Sequence, residues 1–566
     1  MAYAFSTAIR NLRAASLYSY TTPPKFKIAS IVGNILVRKS STMARTYESA
    51  LQHLDSIQSN RAVTSLFTPP APLPGQPKPS PQDLNSQAIP EMLAWAQRAG
   101  LTQEVLGKLR CIHVAGTKGK GSVCAYLTSI LTSPNGNTST GSSIASAAGK
   151  VGTYTSPHLL SVRERIQIGG APISQELFAR YFFEVWDALT AAAREEAQKL
   201  NPGSVSEEEI TGPASKPFYF RFLTLLALHA FVREGVRSAV VECGIGGEYD
   251  STNILPPGAV TAAVVAQLGV DHVGMLGGTV PEIAWNKAGV MKGGVRCFTR
   301  KLEGKGSTGE ATMGVLRERA LEKKAILVEI EDREVEEWGG VRGDGVGSLE
   351  GEFQKYNQAL AVMAAGEHLR VLEGKPDIQS SETKLSDLGE RFSQALRLAR
   401  LRGRCETRQD GNFSWFIDGA HTADSLEEAA KWFAAKRMTL PSDTKVVLLF
   451  NQQERDVAKL LGGLLEGIKR VLGESTIFDH AIFTRNDIQR KMENEPERDL
   501  SVQRAAQDAM QQLCPKTESM IVDNVGEAVG NIKELQSEDT NVAVLATGSL
   551  HLVGALLRTL EPEAGR

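Results

Sequence analysis

The run Gly116-Thr117-Lys118-Gly119-Lys120-Gly121-Ser122 leaves few folds open. It follows an apolar stretch, Leu109 to Val114, and precedes SVCAYLTSILTS, which repeats its apolar positions at helical spacing. Strand, glycine turn and helix together make the opening βαβ unit of a doubly wound sheet. Glycines let backbone amides turn toward an anion, and the helix N-terminus adds its partial positive charge. A lysine inside such a loop reaches terminal phosphates. The run is not a standard Walker A sequence, because Val114 stands five residues before Gly119 and Gly121 separates Lys120 from Ser122. The spacing still predicts a phosphate-binding loop.

The alternation of strand and helix continues along the chain. FYFRFLTLLALHAFVREGV reads as a buried helix, SAVVECGIGG as a strand ending in a turn, and AVTAAVVAQLGVDHVGML as a strand with a polar end. PEIAWNKAGVMK reads as a helix, RCFTR and AILVEI as strands, and FQKYNQALAVMAAGEHL as a helix. Residues 196–216, 303–312 and 339–351 read as surface loops of little structural content. After a polar stretch at 373–387 the pattern resumes with FSWFIDGAH, TKVVLLF, HAIFTR and NVAVLATGSLHLVGALL. The expected fold is α/β: a phosphate-loop-containing, doubly wound first domain over 43–396 and a smaller, Rossmann-like second domain over 397–566. A chain of 566 residues is too long for one ordinary domain.

Composition excludes several classes. With 63 Lys and Arg against 65 Asp and Glu, the chain lacks the basic excess of a nucleic-acid binder. The six cysteines are far apart and form no Cys-x-x-Cys pair, which speaks against a zinc site or a disulfide framework. No apolar run reaches the roughly 18–20 residues that span a bilayer. Residues 1–47 are rich in Arg, Lys, Ser and Thr and contain no Asp or Glu. That composition predicts a mitochondrial transit peptide over residues 1–42, with a matrix destination and an association with the inner membrane as a further possibility. Met43 then provides a second start for a cytoplasmic form. A proline-rich linker follows at 68–81.

A phosphate site calls for a divalent cation held by oxygen ligands. Glu242 closes the apolar strand SAVVE, where open α/β sheets gather their ligands. Asp271 and His272 are expected to close the next strand in the same way.

Six motifs in order carry a resemblance: GTKGKGS, YTSPHLLSVRERI, VVECGIGGEYDSTN, LGVDHVGMLG, IAWNKAG and IDGAHTADSL. From about residue 46 onward the chain resembles folylpolyglutamate synthases, a branch of the Mur ligase superfamily. The resemblance implies ATP-dependent addition of L-glutamate to the γ-carboxylate of a folate by way of an acyl phosphate. It implies that Lys120 and Ser122, with the amides of Gly119 and Gly121, bind the ATP phosphates. Ser156, Glu242 and His272 would hold Mg2+, and Lys287 would become carbamylated and orient a second metal. Arg404 and Asp418 match the remaining ATP contacts, His421 lies beside them, and Asn357 matches a position facing adenine. Family members often read DGAHN where this chain has Thr422. A monomer is implied. Dihydrofolate synthase, which shares these motifs, and an ATP-dependent switch that ligates nothing remain as alternatives. With the ATP site split between two domains, closure becomes a condition of activity, and the linker expected near 380–396 becomes its hinge.

Overall fold

The computed structural model describes residues 45–58, 85–134, 143–200, 205–302, 306–343, 347–375, 384–452, 456–473, 477–492, 494–536 and 540–562. The leader, Met43 and the proline-rich linker lie outside these residues.

The first sheet has the order β4-β3-β2-β5-β1-β6-β7-β8 among the described residues. Its strands are β1 (Arg110–Ala115), β2 (Val151–Tyr154), β3 (Ile166–Ile168), β4 (Ala171–Pro172), β5 (Ser238–Glu242), β6 (Val260–Val265), β7 (Arg296–Arg300) and β8 (Ile326–Ile330). The neighbours β2, β5, β1, β6, β7 and β8 pair in parallel, while β3 and β4 turn back antiparallel at one edge. Both faces of the central strands are covered, so β1, β5 and β6 are almost continuously buried Val, Ile, Ala and Cys. One core layer carries the aromatic residues of the helices Gln175–Leu200 and Tyr219–Arg233, including Phe182, Trp186 and Phe222. The opposite layer is built from the helices Lys120–Thr132, Gln354–Leu372 and Leu385–Leu398.

The second sheet has the order β13-β12-β11-β14-β10-β9. It comprises β9 (Glu406–Asp410), β10 (Phe413–Ile417), β11 (Lys445–Phe450), β12 (His480–Thr484), β13 (Glu518–Val522) and β14 (Val542–Thr547). Only β9 is antiparallel, paired with β10 as a hairpin edge. Helix Ala423–Arg437 covers one face and helix Leu550–Leu560 the other. All six cysteines are free thiols buried in these cores.

Four expectations need correction. Residues 196–216 are not loop throughout: helix Gln175–Leu200 runs into them, and Glu207–Thr211 is a short helix capped by Ser206 that buries Ile210. Residues 306–312 are not loop but the first turns of helix Gly306–Lys323; Gly, Ser and Thr mask the pattern, yet Gly309, Thr312 and Met313 pack inward. The stretch near 380–396 is no free hinge: Leu385, Leu388, Phe392, Ala395 and Leu396 of helix Leu385–Leu398 are buried in the first domain's core. Residues 347–351, assigned little structural content, bridge the two domains, as described below.

Candidate active site

Parallel register brings the chemistry together. β2, β5, β1 and β6 are adjacent, with Tyr154 opposite Val241, Val114 opposite Glu242 and Ala115 opposite Val265. Their carboxyl ends therefore release Ser156, Glu242 and the glycine loop from one side of the sheet, the general position of ligands in such folds.

The loop ends earlier than its sequence suggests. Helix Lys120–Thr132 starts at Lys120, so Lys120, Gly121 and Ser122 form its first turn with free amides. Gly119 is the N-cap with φ 80°, and a Cβ there would overlap the side-chain oxygen of Asn357. Only glycine satisfies both conditions without strain. The loop is also pinned from behind: Thr117 and Lys118 donate their amides to Gln267 O at 2.8 and 3.1 Å. Lys120 Nζ donates to Gly116 O at 2.9 Å and Lys287 Nζ donates to the same oxygen at 2.8 Å.

Lys287 is therefore not a surface lysine. It lies at the end of helix Val280–Lys287 and is 3% exposed. Burial, reinforced by the neighbouring Lys120 ammonium, pulls its pKa down to about 7. A fraction of neutral amine is then present at neutral pH, the form that reacts with carbon dioxide.

Glu242 is buried and its Oε2 accepts the amide of Ser156 at 3.0 Å. Burial pushes its pKa upward, against the opposing pull of Lys120, the Ser156 amide, Arg404 and Arg165. A divalent cation would hold this carboxylate ionised, and carboxylate and hydroxyl oxygens suit magnesium. Ser156 and Glu242 are thus brought together as expected. His272 does not close a strand: β6 ends at Val265, and His272 sits further on with φ 50° as the N-cap of the short helix Val273–Leu276. It is half-exposed beside Asp271, whose Oδ1 accepts its amide at 2.9 Å. Among the described residues no three His, Cys, Asp or Glu side chains converge as a ready-made metal cage.

From the second domain, Asp418 follows β10 and is buried, its two oxygens accepting the amides of Cys405 at 2.7 Å and Ala420 at 2.8 Å. Burial raises its pKa while the Arg404 guanidinium lowers it. The same Arg404 guanidinium opposes the upward shift of Glu242. His421 Nδ1 lies 2.9 Å from Gly419 O; a carbonyl only accepts, so Nδ1 carries the proton. Asn357 faces Gly119 and donates to Gln354 Oε1 at 2.9 Å.

Two residues of the neighbourhood escape a reading by motif. Asp250 is buried, accepts the amides of Ile245 and Thr252 at 2.9 Å each, and thereby shapes the turn after Glu242. The run GGEYDSTN contains the signal, a carboxylate followed by small hydroxyl residues that form an Asx turn. Lys118 pairs with Asp424 of the second domain at 3.0 Å; no local pattern marks that partner.

Two α/β domains, with a glycine loop on one held to the other by the Lys118–Asp424 pair, make the two-domain fold of the Mur ligases. The fold is similar to that of Mycobacterium tuberculosis folylpolyglutamate synthase complexed with ADP, with a TM-score of 0.59 and 22% identity over 90% of this chain and 98% of that one. Residues 402–559 match the family model of the dihydrofolate synthetase C-terminal domain. The chain is 36% identical over 539 residues to the folylpolyglutamate synthase of Neurospora crassa, covering 93% of each. It is 37% identical over 535 residues to that of Saccharomyces cerevisiae, covering 91% of this chain and 87% of that one. The chain belongs to the folylpolyglutamate synthase family.

Proposed function

We propose that this chain is an ATP-dependent ligase that adds glutamate to the terminal γ-carboxylate of tetrahydrofolate and its glutamates, releasing ADP and phosphate. The observation that carries the reading is the glycine loop at the start of helix Lys120–Thr132, released with Ser156 and Glu242 from one end of the first sheet.

The γ-phosphoryl group of ATP passes to the folate carboxylate, giving an acyl phosphate and ADP. The amine of glutamate attacks that carbonyl, loses a proton, and phosphate leaves. The amides of Gly119 and Gly121, with Ser122, receive the phosphates of ATP, and Lys120 swings from Gly116 O to neutralise charge on the transferring group. Arg404 offers a planar fork to phosphate oxygens. Asp418 would accept from ribose hydroxyls, and Asn357 would contact the adenine. His421, whose Nδ1 lies against Gly419 O, would act as a base toward the incoming amine. Magnesium bound by Ser156, Glu242 and His272 would screen the phosphate charges, and a carbamate on Lys287 would turn a repelling cation into an anionic ligand. Excluding water protects the acyl phosphate from hydrolysis. For localisation, the acid-free leader is read as the mitochondrial address and Met43 as the start of a cytoplasmic form.

The test is ligation by the chain starting at Met43 with ATP, magnesium and radiolabelled glutamate, offering tetrahydrofolate and dihydropteroate in parallel. Label on tetrahydrofolate, lost in Lys120→Ala and on chelation of magnesium, supports the proposal. Label on dihydropteroate alone makes the protein a dihydrofolate synthase, and ATP turnover with label on neither makes it a switch.

A further inference from the structure

Helix Ala423–Arg437 of the second domain meets the phosphate loop of the first by two routes. The direct one is the Asp424–Lys118 pair at 3.0 Å, at the helix N-terminus. The indirect one begins two to three turns further along, where Trp432 Nε1 donates to Glu350 Oε2 at 3.0 Å and Lys436 Nζ lies 2.6 Å from the same oxygen. Glu350 belongs to the segment 347–353, which is tied down by a bridge between Ser348 and Arg400 and by Leu401 N donating to Gly347 O at 3.3 Å. Phe353 ends this segment, packs against the second domain's core and caps helix Gln354–Leu372. One turn into that helix, Asn357 donates to the buried Gln354 and sets its Oδ1 against Gly119.

We propose that Glu350 is a positioning residue for the nucleotide: clamped by Trp432 and Lys436, it fixes where Asn357 meets Gly119 at the phosphate loop. The inference rests on the reading of that loop as the ATP site. A charge at Glu350 with two donors from another domain is more than surface decoration, because both partners stand on one rigid helix whose first turn also grips Lys118. Loosening the clamp shifts the start of helix Gln354–Leu372, hence Asn357. The effect therefore falls on ATP and not on glutamate.

The experiment compares the full chain with Glu350→Lys, Lys436→Glu, the double charge swap and Trp432→Phe, which keeps the ring and removes its N–H. KM for ATP and for glutamate, kcat, the Kd of a non-hydrolysable ATP analogue and the melting temperature are read for each. Glu350→Lys is expected to weaken ATP and analogue about tenfold, the effect of about 1.4 kcal/mol, with KM for glutamate within about twofold. Trp432→Phe moves the same constants in the same direction by less, and the swap recovers most of the loss. An unchanged analogue Kd in both Glu350→Lys and Trp432→Phe overturns the proposal, as does an equal rise in both KM values. Failure of the ATP reading itself is separate: it appears as undiminished analogue binding in Lys120→Ala.

Discussion

Lys287 is an amine held out of water with a second ammonium beside it, and this has a consequence for stability. Its pKa falls from 10.5 unfolded to about 7 folded. Below pH 7 the folded protein carries the full cost of a buried charge. Between about 7 and 10.5 the unfolded chain binds the extra proton, so stability climbs with pH, and above 10.5 the penalty is gone. Lys287→Met should therefore gain stability relative to the parent at pH 6.5 and lose that advantage by pH 9.5 in urea denaturation; a difference that does not shrink with pH would refute the assignment. At the loop, Gly119→Ala forces a side chain into the left-handed region at a cost of about 1–2 kcal/mol and against Asn357. We expect nucleotide affinity to drop about tenfold, with partial recovery in Gly119→Ala/Asn357→Ala, measured by calorimetry.

Among the elements, the turn from Ser156 to Arg165 joins the metal side of the site to the second domain. Glu164 accepts the amides of Leu159, Leu160 and Ser161 at 2.8, 2.9 and 2.7 Å, so one carboxylate shapes the turn. Leu159 and Leu160 pack against the second domain's core, and Arg558 Nη2 donates to Leu160 O at 2.8 Å. Glu164→Ala strands three amides and should cost about 2 kcal/mol or more in chemical denaturation; a change under about 0.5 kcal/mol would show that water replaces it freely. This scale also marks what the sequence could convey. Strand ends, the glycine loop and Glu242 were legible because burial enforces apolar runs and makes a terminal carboxylate conspicuous. Helix Gly306–Lys323 was not, since its first turns are Gly, Ser and Thr and its inward face includes Gly309, Thr312 and Arg319. Segment 347–353 was opaque for a different reason: Glu350 acquires meaning only from Trp432 and Lys436, distant in the chain and unmarked by any local period. His272 was drawn too close to its strand because a polar run after β6 does not reveal where pairing stops.

At the scale of the molecule, the domains touch closely enough that small changes of volume matter. A Cβ on Gly554 would stand 2.7 Å from Leu159 O, so Gly554→Val should wedge helix Leu550–Leu560 from the turn. We expect kcat to fall about tenfold while the far-ultraviolet spectrum is unchanged; an unaltered kcat would mean the contact is dispensable for the ligation cycle. The buried thiols lead elsewhere. Cys111, Cys124, Cys243 and Cys297 belong to the first domain, Cys405 and Cys514 to the second, and burial pushes every one of these thiols above its usual range. A protonated, shielded sulfur is a poor nucleophile, so the native protein should be nearly inert toward alkylating reagents. Each thiol then becomes a clock started by opening of its own domain, and peptide mapping of a single alkylation time course would report how often either half of the enzyme comes apart without the other.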